Sequence, residues 1–263
     1  MKQIMRKRQF VVLGLMLLAA AMTMTSCVDL LKTRTTFGGK IVSEMRGLKG
    51  FEEVEINGSP TVYYTQADSF SVKVKGPEDL VKNIITEREG NSLVIRNKGK
   101  IGLINVQLRD EDELAVYVSS PDLTSVRLNG SGDFISRQGI DTDNMEVTLR
   151  GSGDIDMKNV ICDRCHVELV GSGDIDVSRL EAKAVSVVLV GSGDVELGLQ
   201  KVDSTSLALR GSGDIEADFR EDCGAVDCEL RGSGDITLKG SVRKFDSHKY
   251  GSGDIHVDRL NVK

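Results

Sequence analysis

Over the second half of the chain, apolar and polar side chains alternate with a period of two, and the alternation passes through pairs of glycines without losing phase. From residue 167 the odd positions are Val167, Leu169, Gly171, Gly173, Ile175 and Val177; the even ones are Glu168, Val170, Ser172, Asp174 and Asp176. The stretch before it does the same, with Val147, Leu149, Gly151, Gly153, Ile155 and Met157 facing one way and Thr148, Arg150, Ser152, Asp154 and Asp156 the other. Such alternation predicts half-buried strands. Two strands therefore meet at a glycine corner, apolar side inward, with Ser and Asp outward. Val160, Leu180, Leu199, Val202, Phe219 and Val242 supply a further inward set after the second strand.

The corner recurs. Gly-Ser-Gly-Asp and an apolar residue (Gly-Ser-Gly-Asp-Phe in the first copy) begin at Gly130, Gly151, Gly171, Gly191, Gly211, Gly232 and Gly251, spaced by 19 to 21 residues. A fixed period of this length means stacked supersecondary units. The predicted fold is all-β: a right-handed parallel β-helix, or β-solenoid, with about 20 residues per coil and like strands ~4.8 Å apart. A meander reverses at every hairpin and has no need of one motif at one corner. The structural corner glycines are Gly130, Gly132, Gly151, Gly153, Gly171, Gly173, Gly191, Gly193, Gly211, Gly213, Gly232, Gly234, Gly251 and Gly253. They leave room where the backbone bends.

The preceding region also reads as strands. Phe51–Ile56, Thr61–Thr65, Phe70–Val74, Leu93–Ile95, Ile104–Leu108 and Leu114–Val118 alternate, with turn signals at Gly58-Ser59-Pro60 and Gly90-Asn91. Pro77–Ile84 is compatible with a short helix opened by its proline. Asn57-Gly58-Ser59 looks like a degenerate forerunner of the later corner. Residues 37–125 are therefore expected to form irregular N-terminal β-rich coils and a cap on the repeat array of residues 126–263. In the last coil Ser247 and Lys249 replace Val and Leu, and Ile255, Val257, Leu260 and Val262 make a final strand that serves as a cap or as a dimerising edge.

The N-terminus is different in kind. Basic residues 1–8, the apolar run Phe10–Ala21 and Met24-Thr25-Ser26-Cys27 follow in the order of a secretory signal. The run is short for a spanning helix. Met-Thr-Ser-Cys resembles a bacterial lipobox, which implies lipidation of Cys27. Residues 1–27 are then a lipoprotein signal peptide and 28–36 a tether, giving an exported, membrane-anchored lipoprotein of the outer membrane, its face undecided. Those 27 residues carry four basic side chains and no acidic one, so without them the net charge moves from -6 to -10. An acidic chain argues against nucleic acid as partner.

An export signal with a lipobox, a strand-rich first half and Gly-Ser-Gly-Asp-[Ile/Val] coils together resemble the putative auto-transporter adhesin, head GIN domain family, over roughly Phe37 to Val257. The resemblance implies a β-helix on Gram-negative lipoproteins. It brings no catalytic residues.

The outward aspartates are the sharpest chemical candidate: Asp133, Asp154, Asp174, Asp194, Asp214, Asp235 and Asp254. Stacked one per coil, neighbours repel by roughly 0.9 kcal/mol per pair in water, about 5 kcal/mol for six pairs. Hydrogen bonds from Ser hydroxyls and Gly amides, splaying into solvent, or Ca²⁺ bridging adjacent coils would relieve this. The column is read first as structural turn aspartates and second as a Ca²⁺-binding column; no other cofactor is expected. Cys162/Cys165 and Cys223/Cys228 lie three coils apart, about 14 Å, too far for one zinc ion with ~2.3 Å bonds. They are expected to be buried or locally bonded. His166, His248 and His256 lack metal spacing, and the chain has no Trp to line a sugar groove, though Tyr63, Tyr64, Tyr117 and Tyr250 remain.

The expected function is a non-catalytic, lipid-anchored envelope protein presenting a solenoid surface to an unknown protein or glycan. The alternatives are a purely structural envelope lipoprotein and, last, a polysaccharide lyase-like enzyme.

Overall fold

The computed structural model describes residues 40–99 and 114–263. The expected leader with Cys27, the expected tether and the expected strand Ile104–Leu108 lie outside them. The described residues form a parallel β-solenoid of about seven turns with about 20 residues per turn.

The first elements are β1 (Ile41–Arg46), β2 (Glu53–Gly58), β3 (Thr61–Gln66), β4 (Ser71–Pro77), the helix α1 (Glu78–Val81), β5 (Ile84–Glu89) and β6 (Ser92–Asn97). Then come β7 (Ala115–Ser120), β8 (Ser125–Gly130), β9 (Asp133–Asp141) and β10 (Asn144–Gly151). The array continues with β11 (Asp154–Gly171), β12 (Asp174–Gly191), β13 (Val195–Gln200), β14 (Ser204–Gly211), β15 (Ile215–Gly232), β16 (Ile236–Lys249) and β17 (Ile255–Val262).

Each coil contributes one strand segment before the glycine corner and one after it. Segments before the corner stack in parallel and in register, so that Leu128, Leu149, Leu169, Leu189, Leu209 and Leu230 form one column. All six are fully buried. Segments after the corner align Ile155, Ile175, Val195, Ile215, Ile236 and Ile255. A register shift then bends the strand, as between Val177 and Leu180, and Val160, Leu180, Leu199 and Phe219 stack on the third side. The predicted inward set is thus the core, and one apolar cluster runs from Phe51 to Val242.

The N-terminal coils are interleaved. β2 pairs in parallel with both β6 and β8, and β3 with both β7 and β9. The β2/β3 coil is therefore flanked on both sides by segments later in sequence. Gly58 sits under Gly130, as its resemblance to the later corner suggests. That coil turns with residues 58–60 between Asn57, which is level with Arg96, and Thr61, which is level with Ala115.

This end is finished by antiparallel strands, which the alternation alone did not distinguish from parallel ones. β4 runs antiparallel to β7 and to β1, and β5 antiparallel to β6. The predicted helix over Pro77–Ile84 is shorter, with Pro77 as its N-cap and Ile84 already in β5. Its Leu80 and Val81 are buried against the core. At the other end, β17 pairs with β16 alone among the described residues.

Candidate functional site

The corner explains its own sequence. The Ser N–H of each motif donates to the first-Gly carbonyl of the preceding coil, as in Ser172 to Gly151 at 2.9 Å and Ser192 to Gly171 at 2.8 Å. The stacking is so close that a Cβ on Gly173 would lie 2.0 Å from the Gly153 carbonyl oxygen, and one on Gly171 2.1 Å from that of Gly151. Gly171 also has φ +146°, which side-chain-bearing residues rarely adopt. The first glycine of each motif is half-exposed in most copies and the second is buried.

All seven predicted aspartates fall on one outward column. The donor to their carboxylates is neither a Ser hydroxyl nor a Gly amide: it is the backbone N–H of the next aspartate. Asp174 donates to Asp154 Oδ1 at 3.2 Å, Asp194 to Asp174 and Asp214 to Asp194 at 3.0 Å each, Asp235 to Asp214 at 2.8 Å and Asp254 to Asp235 at 2.7 Å. Past the bend, the short carboxylate arm reaches the next coil's amide. Such charge-assisted bonds oppose the repulsion along the column. Asp133 instead accepts from the Thr61 hydroxyl at 3.1 Å. Near the end of the column, Lys249 reaches Asp254 at 2.5 Å, and His256 stands 3.3 Å from Asp235 Oδ2. The Asp254 amide, followed by His256, holds the Asp235 carboxyl below the usual carboxylate range.

The column offers one committed oxygen per coil along a solvent-facing line, not a closed cage. Among the described residues no group of three or more His, Cys, Asp or Glu side chains is placed to hold a metal ion.

All four cysteines of the described residues are buried free thiols. Cys162 and Cys165 share β11, Cys223 and Cys228 share β15. Cys165 donates to Cys162, which lowers the Cys162 thiol; the same bond and burial raise Cys165. Burial pushes Cys228 up to about 12. The tyrosines divide. Tyr63 stacks on Tyr117 at 5.4 Å, with Lys73 4.6 Å over the Tyr117 ring. Tyr64 is buried, its hydroxyl 2.9 Å from Ser120 Oγ, and burial raises it to about 12. Tyr250 is exposed, with Arg231 5.3 Å over its ring.

Outward charges pair across coils. Arg127 bridges Glu53 and Glu146 at 3.0 and 3.2 Å, and Arg137 reaches Asp156 at 2.6 Å. Between these polar ladders lies a feature that sequence reading missed. On the wall before the corner, Val170 stacks on Val190, and Val188 on Ala208, all outward and half-exposed. Arg150 precedes Val170 in its column, and Arg210 follows Val190. The signal was present: Val187-Val188-Leu189-Val190 is an unbroken apolar run, although Glu168 stands level with Val188 and Arg210 with Val190 in the adjoining coils. An open groove of about 540 Å³, lined among others by Thr124, Met145, Arg164, His166 and Val185, opens on the same wall.

A parallel β-solenoid carrying one polar corner per turn, with its chemistry spread along columns, defines a class of repetitive scaffold. The sequence matches the putative auto-transporter adhesin, head GIN domain family over residues 50–226 and 201–263, and the chain belongs to that family. Among solved structures it is similar to a putative adhesin from Bacteroides fragilis, 24% identical, TM-score 0.73, with 85% of this chain and 97% of that one covered. It is also similar to a putative adhesin from Parabacteroides distasonis, 18% identical, TM-score 0.68, covering 84% and 98%. A third, described as a putative lipid binding protein from the same organism, is 24% identical with TM-score 0.64, covering 86% and 98%. At these identities the likeness concerns the fold. No curated protein matches the sequence.

Proposed function

We propose that this protein is a non-catalytic, lipid-anchored envelope protein whose solenoid presents a contact face to a protein or glycan outside the membrane. The carrying observation is the outward patch of Val170, Val188, Val190 and Ala208 between Arg150 and Arg210. Apolar side chains on the solvent face of an otherwise charged sheet, rimmed by polar residues, mark interaction surfaces. The family's adhesin description and the Cys27 lipobox support the same reading.

Binding of intact cells to immobilised matrix proteins and glycans tests the contact role. Val188→Glu with Val190→Glu abolishes it if the patch is the contact; unchanged binding refutes it. Cys27→Ala releases the protein from the membrane fraction if the anchor is real. Protease shaving separates adhesion from a purely structural envelope role, since a protein protected on intact cells is no external adhesin.

A further inference from the structure

We infer that the free edge of β17 is a self-complementary interface through which two copies of this chain join end to end about a two-fold axis.

β17 is a strand with an unused edge. It pairs with β16 on one side, and no described residue pairs with the other. Its inward side chains Ile255, Val257 and Leu260 are only half-buried, and Val262 is 51% exposed, although the corresponding positions of earlier coils are closed. An exposed edge with an apolar face is a template for another strand.

The order of residues along β17 says which strand fits. A register shift sets Val257 and Asp258 opposite Leu238 alone, between the pairs Thr237–His256 and Lys239–Arg259. Inward positions are therefore 255 and 257 before the shift, and 260 and 262 after it. That set is symmetric about the point between Asp258 and Arg259. An antiparallel copy centred there places Ile255 opposite the partner's Val262 and Val257 opposite the partner's Leu260. His256 comes opposite the partner's Asn261, and Asp258 opposite the partner's Arg259. Every apolar residue meets an apolar one, and the central charges are complementary, twice over by symmetry.

Those charges lack other partners. No described residue forms an ion pair with Asp258 or Arg259. Arg259 stacks on Lys239, which is already paired to Glu216. Head-to-tail stacking fits poorly, because the opposite end carries antiparallel strands and α1. A two-fold joint consumes the open edge and closes the assembly at two copies.

Sedimentation equilibrium of the full chain in density-matched mild detergent tests this. Wild type is expected to show a concentration-dependent dimer. Arg259→Asp sets Asp258 against a like charge twice and raises the dimer dissociation constant on the order of tenfold or more. The double variant Asp258→Arg with Arg259→Asp recreates both pairs with reversed polarity and restores the dimer. Melting curves of the two variants exclude misfolding as the cause. A monomer at about 100 µM, growth beyond two copies, a single variant that melts like wild type yet stays dimeric, or a double variant that stays weak would each overturn the inference.

Discussion

Gly173→Ala is the sharpest test of the corner. Its Cβ would stand 2.0 Å from the Gly153 carbonyl oxygen and 3.0 Å from the Gly153 N and C. An ordinary carbon–oxygen contact needs over an ångström more. The obstructing atoms are backbone, held on the far side by their own coil. Gly193 crowds Gly173 as closely, with its own Cβ position 1.9 Å from the Gly173 carbonyl oxygen. Neither coil has room to withdraw, so relief requires opening the corner ladder on both sides. Overpacking ordinarily costs about 1–3 kcal/mol, and a rigid backbone clash belongs at or above the top of that range. For a domain of this size, about 3 kcal/mol lowers Tm by roughly 6–12 °C. Two substitutions calibrate the series. Gly139→Ala meets only the Asn159 amide nitrogen at 3.0 Å, a side chain that can move, and Ser172→Ala alters an exposed residue. Both are expected to stay within about 1 kcal/mol of wild type. Thermal and urea denaturation read all three. A Gly173→Ala protein within about 1 kcal/mol of wild type would refute the packing argument.

Other outcomes follow from the side chains. Asp194→Ala removes the acceptor of the Asp214 N–H and is expected to cost about 1 kcal/mol in urea denaturation, whereas Asp194→Asn keeps an acceptor oxygen and recovers part of it. With one oxygen of each inner carboxylate bonded to the next coil, chelator and millimolar Ca²⁺ are expected to leave the melting midpoint unchanged. A rise with Ca²⁺ that chelator reverses would establish the column as a cation site. Because Asp235 titrates below its ordinary value when folded, its stabilising contribution is full above the unfolded-state pKa and disappears as pH falls through the lower folded-state one. Acid denaturation of Asp235→Asn against wild type checks the sign. Alkylation mapped by mass spectrometry should mark Cys162 first among the four described thiols and Cys228 only after unfolding, since burial opposes the thiolate there. Tyr64→Phe leaves Ser120 Oγ without its buried hydroxyl partner and is expected to cost about 1–2 kcal/mol in chemical denaturation.

The repeat half was legible because one rule governs it. Inward and outward phase fixes which side each residue faces, and Val167, Leu169, Ile175 and Val177 are buried accordingly. The near-constant spacing fixes the register in the same stroke, since Gly171 can stack on Gly151 only if their strands align. Asn57-Gly58-Ser59 could be matched to a corner for that reason. The N-terminal pairings were not legible, because alternation is blind to direction: Val72 and Val74 of β4 are as buried as Val62 of β3, yet one strand is antiparallel and the other parallel. The aspartate bonding was half legible. Periodicity set the carboxylates in a column, but the choice of donor depends on backbone angles at the bend. The valine patch hid inside the same rule, which reads Val170 and Val188 as merely outward.

The interleaved first coil has a consequence for how the chain acquires its structure. β2 and β3 have both of their parallel neighbours further along the sequence. A chain emerging from its N-terminus holds these two strands without parallel neighbours until residues 92–141 have followed, and only then does the first closed layer exist. From that point each layer is added by the next 20 or so residues alone, on an edge already in place. Assembly is thus slow to start and quick to extend, with the non-local step confined to the described residues up to Asp141. Whole periods gained or lost between Gly151 and Gly232 change the number of layers without disturbing that start, so array length is free to vary while the opening segment is not.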